Sequence, residues 1–492
     1  MKKTRSSGIL MHISSLPGKY GIGDFGKEAY NFVDFLVDAG QKNWQILPLG
    51  ITSFGDSPYQ SFSAFAGNPY FIDLDEFIER GYLKEEEIAE LDLGNDPREV
   101  NYGLLFKNKM KLIRKAYDRS KIELENILED FYIKKAWLRE FSLFMAIKNY
   151  HNNSSWLYWD KDFRIRNSQK VLEFEKENRE EIYFWVFTQY FFSKQWLKLK
   201  AYANDNGINI IGDLPIYISE DSSDIWGSPH LFNLDENLFP ITVSGCPPDA
   251  FSTKGQLWGN PIYNWKALEE ENYKWWIERF KYSFELYDIL RIDHFRGFEA
   301  YWEVDYNREN AVVGKWTKGP GIKLFNKLKE ELGELNIIAE DLGFLTEDVE
   351  NLLEETGFPG MKVLQFAFDS REESDYLPYN YDKNCVVYTG THDNSTINGW
   401  FKNANKEDME YAIKYLKLNY DEGLNWGIIR GAWSSTAFLS ITTMQDILGH
   451  GDYARMNIPS TVGGNWTWRM EKSELNDEIV NKLKNLTKLY GR

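Results

Sequence analysis

The chain has 492 residues, of which 43% are hydrophobic, enough to bury a large core in one or a few domains. Its formal net charge of −18 repels phosphate backbones and anionic membrane surfaces, which excludes nucleic acid as a natural partner and suits a neutral substrate. No run approaches the roughly eighteen apolar residues of a membrane span, and the short basic start Met1-Lys2-Lys3-Thr4-Arg5 leads into no apolar signal core, so a cytoplasmic home is expected.

In chain order, eight short runs rich in aliphatic and β-branched residues each end in polar residues: GILMHISSLP (8–17), NWQILPLG (43–50), INIIGDLPIYI (208–218), ILRIDHFRG (289–297), NIIAEDLG (336–343), MKVLQFAFD (361–369), CVVYTGTHD (385–393) and AFLSITTMQDIL (437–448). Continuous apolar runs of this length are what parallel strands buried on both faces require. Helical patterns fill the intervals. Leu324, Phe325, Leu328 and Leu332 recur at helical spacing with Gly333 at the C-terminal end, and Thr346 is placed to cap a helix that carries Val349, Leu352 and Leu353 and closes at Gly357. Strand–helix alternation repeated eight times predicts an α/β fold, a closed (β/α)8 (TIM) barrel, with an open doubly wound sheet as the alternative.

The spacing is uneven. About 150 residues separate the second run from the third, and segments there such as LKEEEIAEL (83–91) and WLREFSLFMAIKNY (137–150) read as amphipathic helix. The expectation is one catalytic barrel spanning 1–492, a mostly helical insertion at 75–200 between strands two and three, and a loop-rich insertion with a lid at 219–280 between strands three and four. Long loops of this kind carry binding and lid functions.

Aromatic residues make up 16% of the chain, including 18 Trp and 29 Tyr; flat rings with polar tips suit sugar faces, and they suit a core equally well. Two cysteines, Cys246 and Cys385, make neither a disulfide framework nor a metal site.

Active sites of such barrels lie at the C-terminal ends of the strands. Those ends present Asp213, Asp293 with His294 and Arg296, Glu340 with Asp341, and His392 with Asp393. Acids from four separate strands thus converge on one rim, at an electrostatic cost that a structural protein has no reason to meet. Such a set either binds a divalent metal or divides the acid, base and nucleophile roles of glycosyl transfer. No DxDxDG loop is present, and the two histidines lack HxxxH spacing, so the metal reading is the weaker and no cofactor is expected.

Across nearly its whole length the sequence resembles the amylomaltases, the 4-α-glucanotransferases or disproportionating enzymes of the α-amylase-like barrel clan. The resemblance runs from RSSGILMHISSLPGKYGIGDFG (5–26) through SPYQSFSAFAGNPYFIDL (57–74), IGDLPIYISEDSSDIW (211–226), GCPPDAFSTKGQLWGNPIYNW (245–265), RIDHFRGFEAYW (291–302), IIAEDLG (337–343), GFPGMKVLQFAF (357–368) and THDNSTINGW (391–400) to PSTVGGNWTWRM (459–470). It implies that Asp293 is the nucleophile, Glu340 the acid/base and Asp393 the carboxylate that holds the hydroxyls of the distorted sugar. Arg291, two residues before Asp293 and hence on the same strand face, would hold that carboxylate ionised and low in pKa. His294 and His392 match hydroxyl-binding residues. Asp213, Tyr59, Ser57, Asp249, Gln256, Trp258 and Asn465 match segments that line the sugar subsites. Residues 251–256, from Phe251 to Gln256, are the expected lid, and Phe366 with Tyr59 the expected acceptor-stacking rings.

The implied substrates are maltooligosaccharides and larger α-1,4-glucans, with glucose as an acceptor. Retention through a covalent intermediate calls for carboxyl groups about 5–5.5 Å apart. The chemistry of the residues alone fits a retaining α-glucan hydrolase equally well; the preference for transfer rests on the resemblance. Two positions depart from the pattern, Cys246 where Ala is expected and Ser395 where an acidic residue is expected.

Overall fold

The computed structural model describes residues 4–53, 55–248, 252–343 and 345–492. Twelve strands appear in chain order: β1 (Ser6–Leu10), β2 (Asn43–Gln45), β3 (Asn209–Pro215), β4 (Thr242–Cys246), β5 (Gln256–Pro261), β6 (Ile289–Asp293), β7 (Ala300–Asp305), β8 (Lys315–Lys318), β9 (Ile337–Ala339), β10 (Gly360–Val363), β11 (Cys385–Tyr388) and β12 (Leu439–Thr443). Eight of them form one parallel sheet in the order β10-β11-β12-β1-β2-β3-β6-β9. The sheet curls until its ends meet, where the Ala339 N–H donates to Pro359 O at 2.9 Å. All eight apolar runs of the sequence contribute a strand, so the chain folds as a (β/α)8 barrel. Their continuous burial follows from helices outside and packed side chains within: Ile9, Ile210, Leu290, Ile338, Val387 and Ile441 are fully buried.

Between β2 and β3 the chain is mainly helical, with long helices at Met110–Lys134, Ala136–Tyr150 and Arg179–Asp205. The last of these returns to the barrel and delivers β3. Its Gln189 side chain donates to Gly67 O (2.9 Å) and accepts from Gly67 N–H (2.8 Å), in the manner of a strand neighbour. A Cβ at Gly67 would lie 2.1 Å from the Phe192 ring, so only glycine admits this approach. Six of the 18 tryptophans (44, 156, 196, 226, 276 and 433) are fully buried, which assigns a third of them to core rather than sugar platform.

The connection between β3 and β6 is more ordered than a loop-rich insertion. β4 and β5 form a hairpin, and β7 and β8 from the next connection extend it into a four-stranded antiparallel sheet, β5-β4-β7-β8. Within the same stretch, Lys274–Leu286 is the helix that leads into β6. Pairing between strands from two separate connections leaves no local signature, and the Gly- and Trp-rich sequence masks the alternation. The helix at Ile322–Leu332 ends at Gly333 (φ 78°) and that at Glu347–Thr356 at left-handed Gly357 (φ 68°). Thr346 occupies the N-cap position of the second helix, but its side chain makes no capping bond. No helix among the described residues is long and apolar enough to cross a membrane.

Candidate active site

A cleft of about 2570 Å³ opens over the C-terminal ends of the barrel strands. That is well beyond the roughly 300–1,000 Å³ of a small-molecule pocket and has room for a chain of sugars. Asp293, Glu340, Asp393, Arg291, His294, His392, Ser57, Tyr59, Gln256, Trp258, Phe366 and Asn465 all line it. Asp249 and Phe251 lie outside the described residues.

Strand register builds the first half of the site. β3 and β6 pair so that Asp213 stands opposite Arg291 and Pro215 opposite Asp293. With period-two alternation, Arg291 and Asp293 share the inner face, and Arg291 Nη1 reaches Asp213 (2.7 and 2.8 Å) and Asp293 Oδ1 (3.0 Å). The Asp213 side chain is wholly buried and that of Arg291 nearly so, whereas Asp293 keeps 31% of its exposure, toward the cleft. Asp213 also accepts from Tyr59 Oη at 2.9 Å. It therefore does not line the cleft as a sugar ligand would. Its carboxylate is spent beneath the floor, holding an arginine in place, because a buried guanidinium needs a full anionic partner.

Asp293 ends β6, and His294 turns the chain out through a left-handed conformation (φ 53°). The turn aims the His294 N–H at Glu340 Oε2 (2.7 Å), while the Leu342 N–H reaches Oε1 (2.9 Å). Phe295 N–H donates to Glu340 O (3.0 Å) and Glu340 N–H to Ile292 O (3.0 Å), so backbone continuity fixes the acid of one strand beside the acid of the next. Asp341 turns the other way: its carboxylate accepts from Met361 N–H at 2.6 Å and joins β9 to β10. Like Asp213, it serves the scaffold and does not line the cleft.

Burial pushes the Glu340 carboxyl up to about 7, with the nearby Asp293 charge adding to the shift and Arg291 and two backbone N–H groups opposing it. Asp293 is also raised, against expectation. Desolvation and the Asp213 charge outweigh the pull of Arg291, which Asp213 already partly neutralises. Burial lowers His294 to about 3, which leaves a neutral ring. Its Nε2 is buried without a hydrogen-bond partner among the described residues, and Trp258 packs edge-on against the ring at 4.7 Å.

Loops build the second half. His392 stacks on Tyr59 (centroids 5.2 Å, 19°), and its Nε2 lies 3.4 Å from Asp393 Oδ2. Asp393 is gripped by residues that the sequence reading passed over. Asn457 Nδ2 donates to Asp393 Oδ1 (2.7 Å), and Arg455 Nη2 donates to its carbonyl (2.5 Å) and Nη1 to Ser395 Oγ (3.3 Å). A faint signal existed in the sequence, where the apolar Ala454 and Met456 alternate with these two polar residues. Asn465, expected to bind sugar, spends its amide within its own loop, accepting from Ile458 N–H (3.1 Å) and donating to Thr461 Oγ1 (3.0 Å). Around the rim, Gln256 accepts from Trp258 Nε1 (3.2 Å), Ser57 Oγ accepts from Tyr59 N–H (3.3 Å), and Phe366 packs edge-on against Tyr376. Among the described residues, no three His, Cys, Asp or Glu side chains meet as a metal-binding group.

A raised acid beside a carboxylate held by arginine, at the mouth of a (β/α)8 barrel under an extended cleft, defines a class: barrel enzymes that break and remake glycosidic bonds. Comparison with known proteins gives the family. Residues 11–475 match the family model described as 4-α-glucanotransferase. The 4-α-glucanotransferase of Clostridium butyricum is 55% identical over 98% of this chain and 100% of its own. An amylomaltase structure from Streptococcus agalactiae, in complex with acarbose, superposes with a TM-score of 0.97 at 46% identity, covering 99% of each chain. The amylomaltase of Corynebacterium glutamicum, at 18% identity and a TM-score of 0.79 over 98% of this chain and 75% of that one, shares the fold. The chain belongs to the 4-α-glucanotransferase family of enzymes acting on α-1,4-glucans.

Proposed function

We propose that the enzyme transfers segments of α-1,4-glucan by a retaining double displacement centred on Asp293 and Glu340. In the first half, an Asp293 oxygen bonds to the anomeric carbon as the glycosidic bond breaks. Glu340 gives its proton to the departing oxygen. In the second half, the Glu340 carboxylate takes the proton of an incoming 4-hydroxyl, whose oxygen displaces Asp293 and restores the original configuration. Asp393, the neutral His294 ring and the His392 ring hold ring hydroxyls, and the His294 Nε2, buried without a hydrogen-bond partner among the described residues, supports that role. The observation that carries the reading is the asymmetry of the two acids: Asp293 is held by Arg291 at 3.0 Å, while Glu340 has no ion pair among the described residues, accepts only backbone N–H groups and is raised to about 7.

Transfer over hydrolysis requires that an acceptor sugar displace water while the intermediate lasts. Trp258 and the tight turn at Ser252–Gly255, closed by the Ser252 hydroxyl on Gly255 O (2.7 Å), line the cleft and are the groups we assign to cover such an acceptor. Chromatography of the products from maltotriose, with and without added glucose, tests this. Longer oligosaccharides with glucose as co-product are expected, and added glucose should redirect the glucan segments onto glucose. Release of glucose with no lengthened product would make the enzyme a hydrolase.

A further inference from the structure

The loop that follows β11 carries His392 and Asp393, and both of its ends are tied to a single side chain that never reaches the cleft. Asp446, in the short helix Met444–Leu448 after β12, is 2% exposed. One carboxylate oxygen accepts from Thr389 Oγ1 (3.0 Å), the first residue beyond β11. The other accepts from Ile397 N–H (2.7 Å), where the helix Ile397–Asn403 begins. Asp452 continues the seam. It accepts from Thr396 N–H (3.1 Å), and a Cβ at Gly399 would meet its carboxylate at 1.9 Å, so glycine is required there. The Asn457 N–H then binds His392 O at 3.1 Å.

We propose that Asp446 is a positioning residue for the transfer reaction: by fixing Thr389 and Ile397 it sets the path of residues 390–396 and so the placement of Asp393 over the sugar. The proposal rests on the role given to Asp393 above. The geometry favours it over a general packing role because the two bonds span the functional loop end to end. One is made to the hydroxyl at the strand end and the other to the first N–H of the helix, which has no acceptor within the helix itself. A catalytic carboxylate held by a loop depends on such anchors, since small misplacements of reacting groups cost large factors in rate.

A double-mutant cycle tests it, with kcat and KM measured on maltotriose for Asp446→Ala, Asp393→Asn and the pair. The expected result is a loss of about 10- to 100-fold in kcat/KM for Asp446→Ala, mostly in kcat, and almost none on top of Asp393→Asn. Asp446→Asn, which keeps an acceptor for Ile397 and can reverse the bond to Thr389, should restore most of the activity. Losses that multiply in the pair, or an Asn variant as impaired as the Ala variant, would overturn the proposal. Should Asp446→Ala not fold, Thr389→Val removes one anchor at nearly constant volume and enters the same cycle with the same two readings. If Asp393→Asn alone leaves activity unchanged, the role of Asp393 itself has failed, a different result from independent losses.

Discussion

The two halves of the site are held by different physics. On the β6–β9 side, Asp293 and Glu340 stand at strand ends, fixed by ladder register, backbone N–H groups and the buried ion pair of Arg291 with Asp213. On the β11–β12 side, Asp393 lies five residues past its strand and is fixed by Asn457, Arg455 and, at a distance, Asp446. The first arrangement is rigid because moving it would break the barrel. The second is a hydrogen-bonded loop whose anchors come from a neighbouring connection, so its geometry can be loosened without unfolding the scaffold. The nucleophilic attack proposed for Asp293 needs the first kind of support; the cradling of sugar hydroxyls proposed for Asp393 tolerates the second.

Four experiments break or sharpen that contrast. The largest effect is expected from the acids on the rigid side. Asp293→Asn should remove activity by about 10⁴-fold or more, and Glu340→Gln by about 10²- to 10⁴-fold, with circular dichroism unchanged in both. A trapped glucosyl adduct on Asp293 in the Glu340→Gln enzyme would locate the bond. Next, Arg291→Met leaves a buried Asp213 without its cation and should lower the unfolding free energy in urea by about 3–5 kcal/mol, together with a loss of activity. A variant of unchanged stability would show that the rigid side does not depend on this pair.

The pH profile comes third. In the acid role proposed for it Glu340 works protonated, so kcat/KM should decline as pH rises past about 7. Its stability effect has the same sign. A carboxyl raised above its ordinary 4.5 keeps its proton longer in the native state than in the unfolded one, so its stabilisation is complete below about 4.5 and disappears as pH climbs through about 7. Relative to the parent, Glu340→Gln should therefore melt higher at pH 8 than at pH 4. An equal difference at both values would contradict the raised pKa. The smallest effect belongs to the loop side. Asn457→Ala removes one hydrogen bond to Asp393 and should cost about tenfold in kcat/KM with little change in melting temperature, because the side chain is partly exposed.

The eight barrel strands and the acids at their ends were legible because a strand buried on both faces must be written as a continuous apolar run, and function follows directly at its end. The i, i+2 relation of Arg291 and Asp293 was legible for the same reason: strand periodicity is local. What the sequence could not determine depended on which distant segments meet. Asp213 looked like another rim acid until register placed it under Arg291, and so did Asp341, beside Glu340, until its carboxylate turned to Met361 N–H. The pairing of β4–β5 with β7–β8 and the grip of Asn457, Arg455 and Asp446 on the His392–Asp393 loop join residues from separate connections, and no local periodicity records such meetings. The raised pKa of Asp293 belongs with them. The sequence supplied the arginine two residues before it, but only three-dimensional burial decides how much of that charge is left over for Asp293 once Asp213 has taken its share.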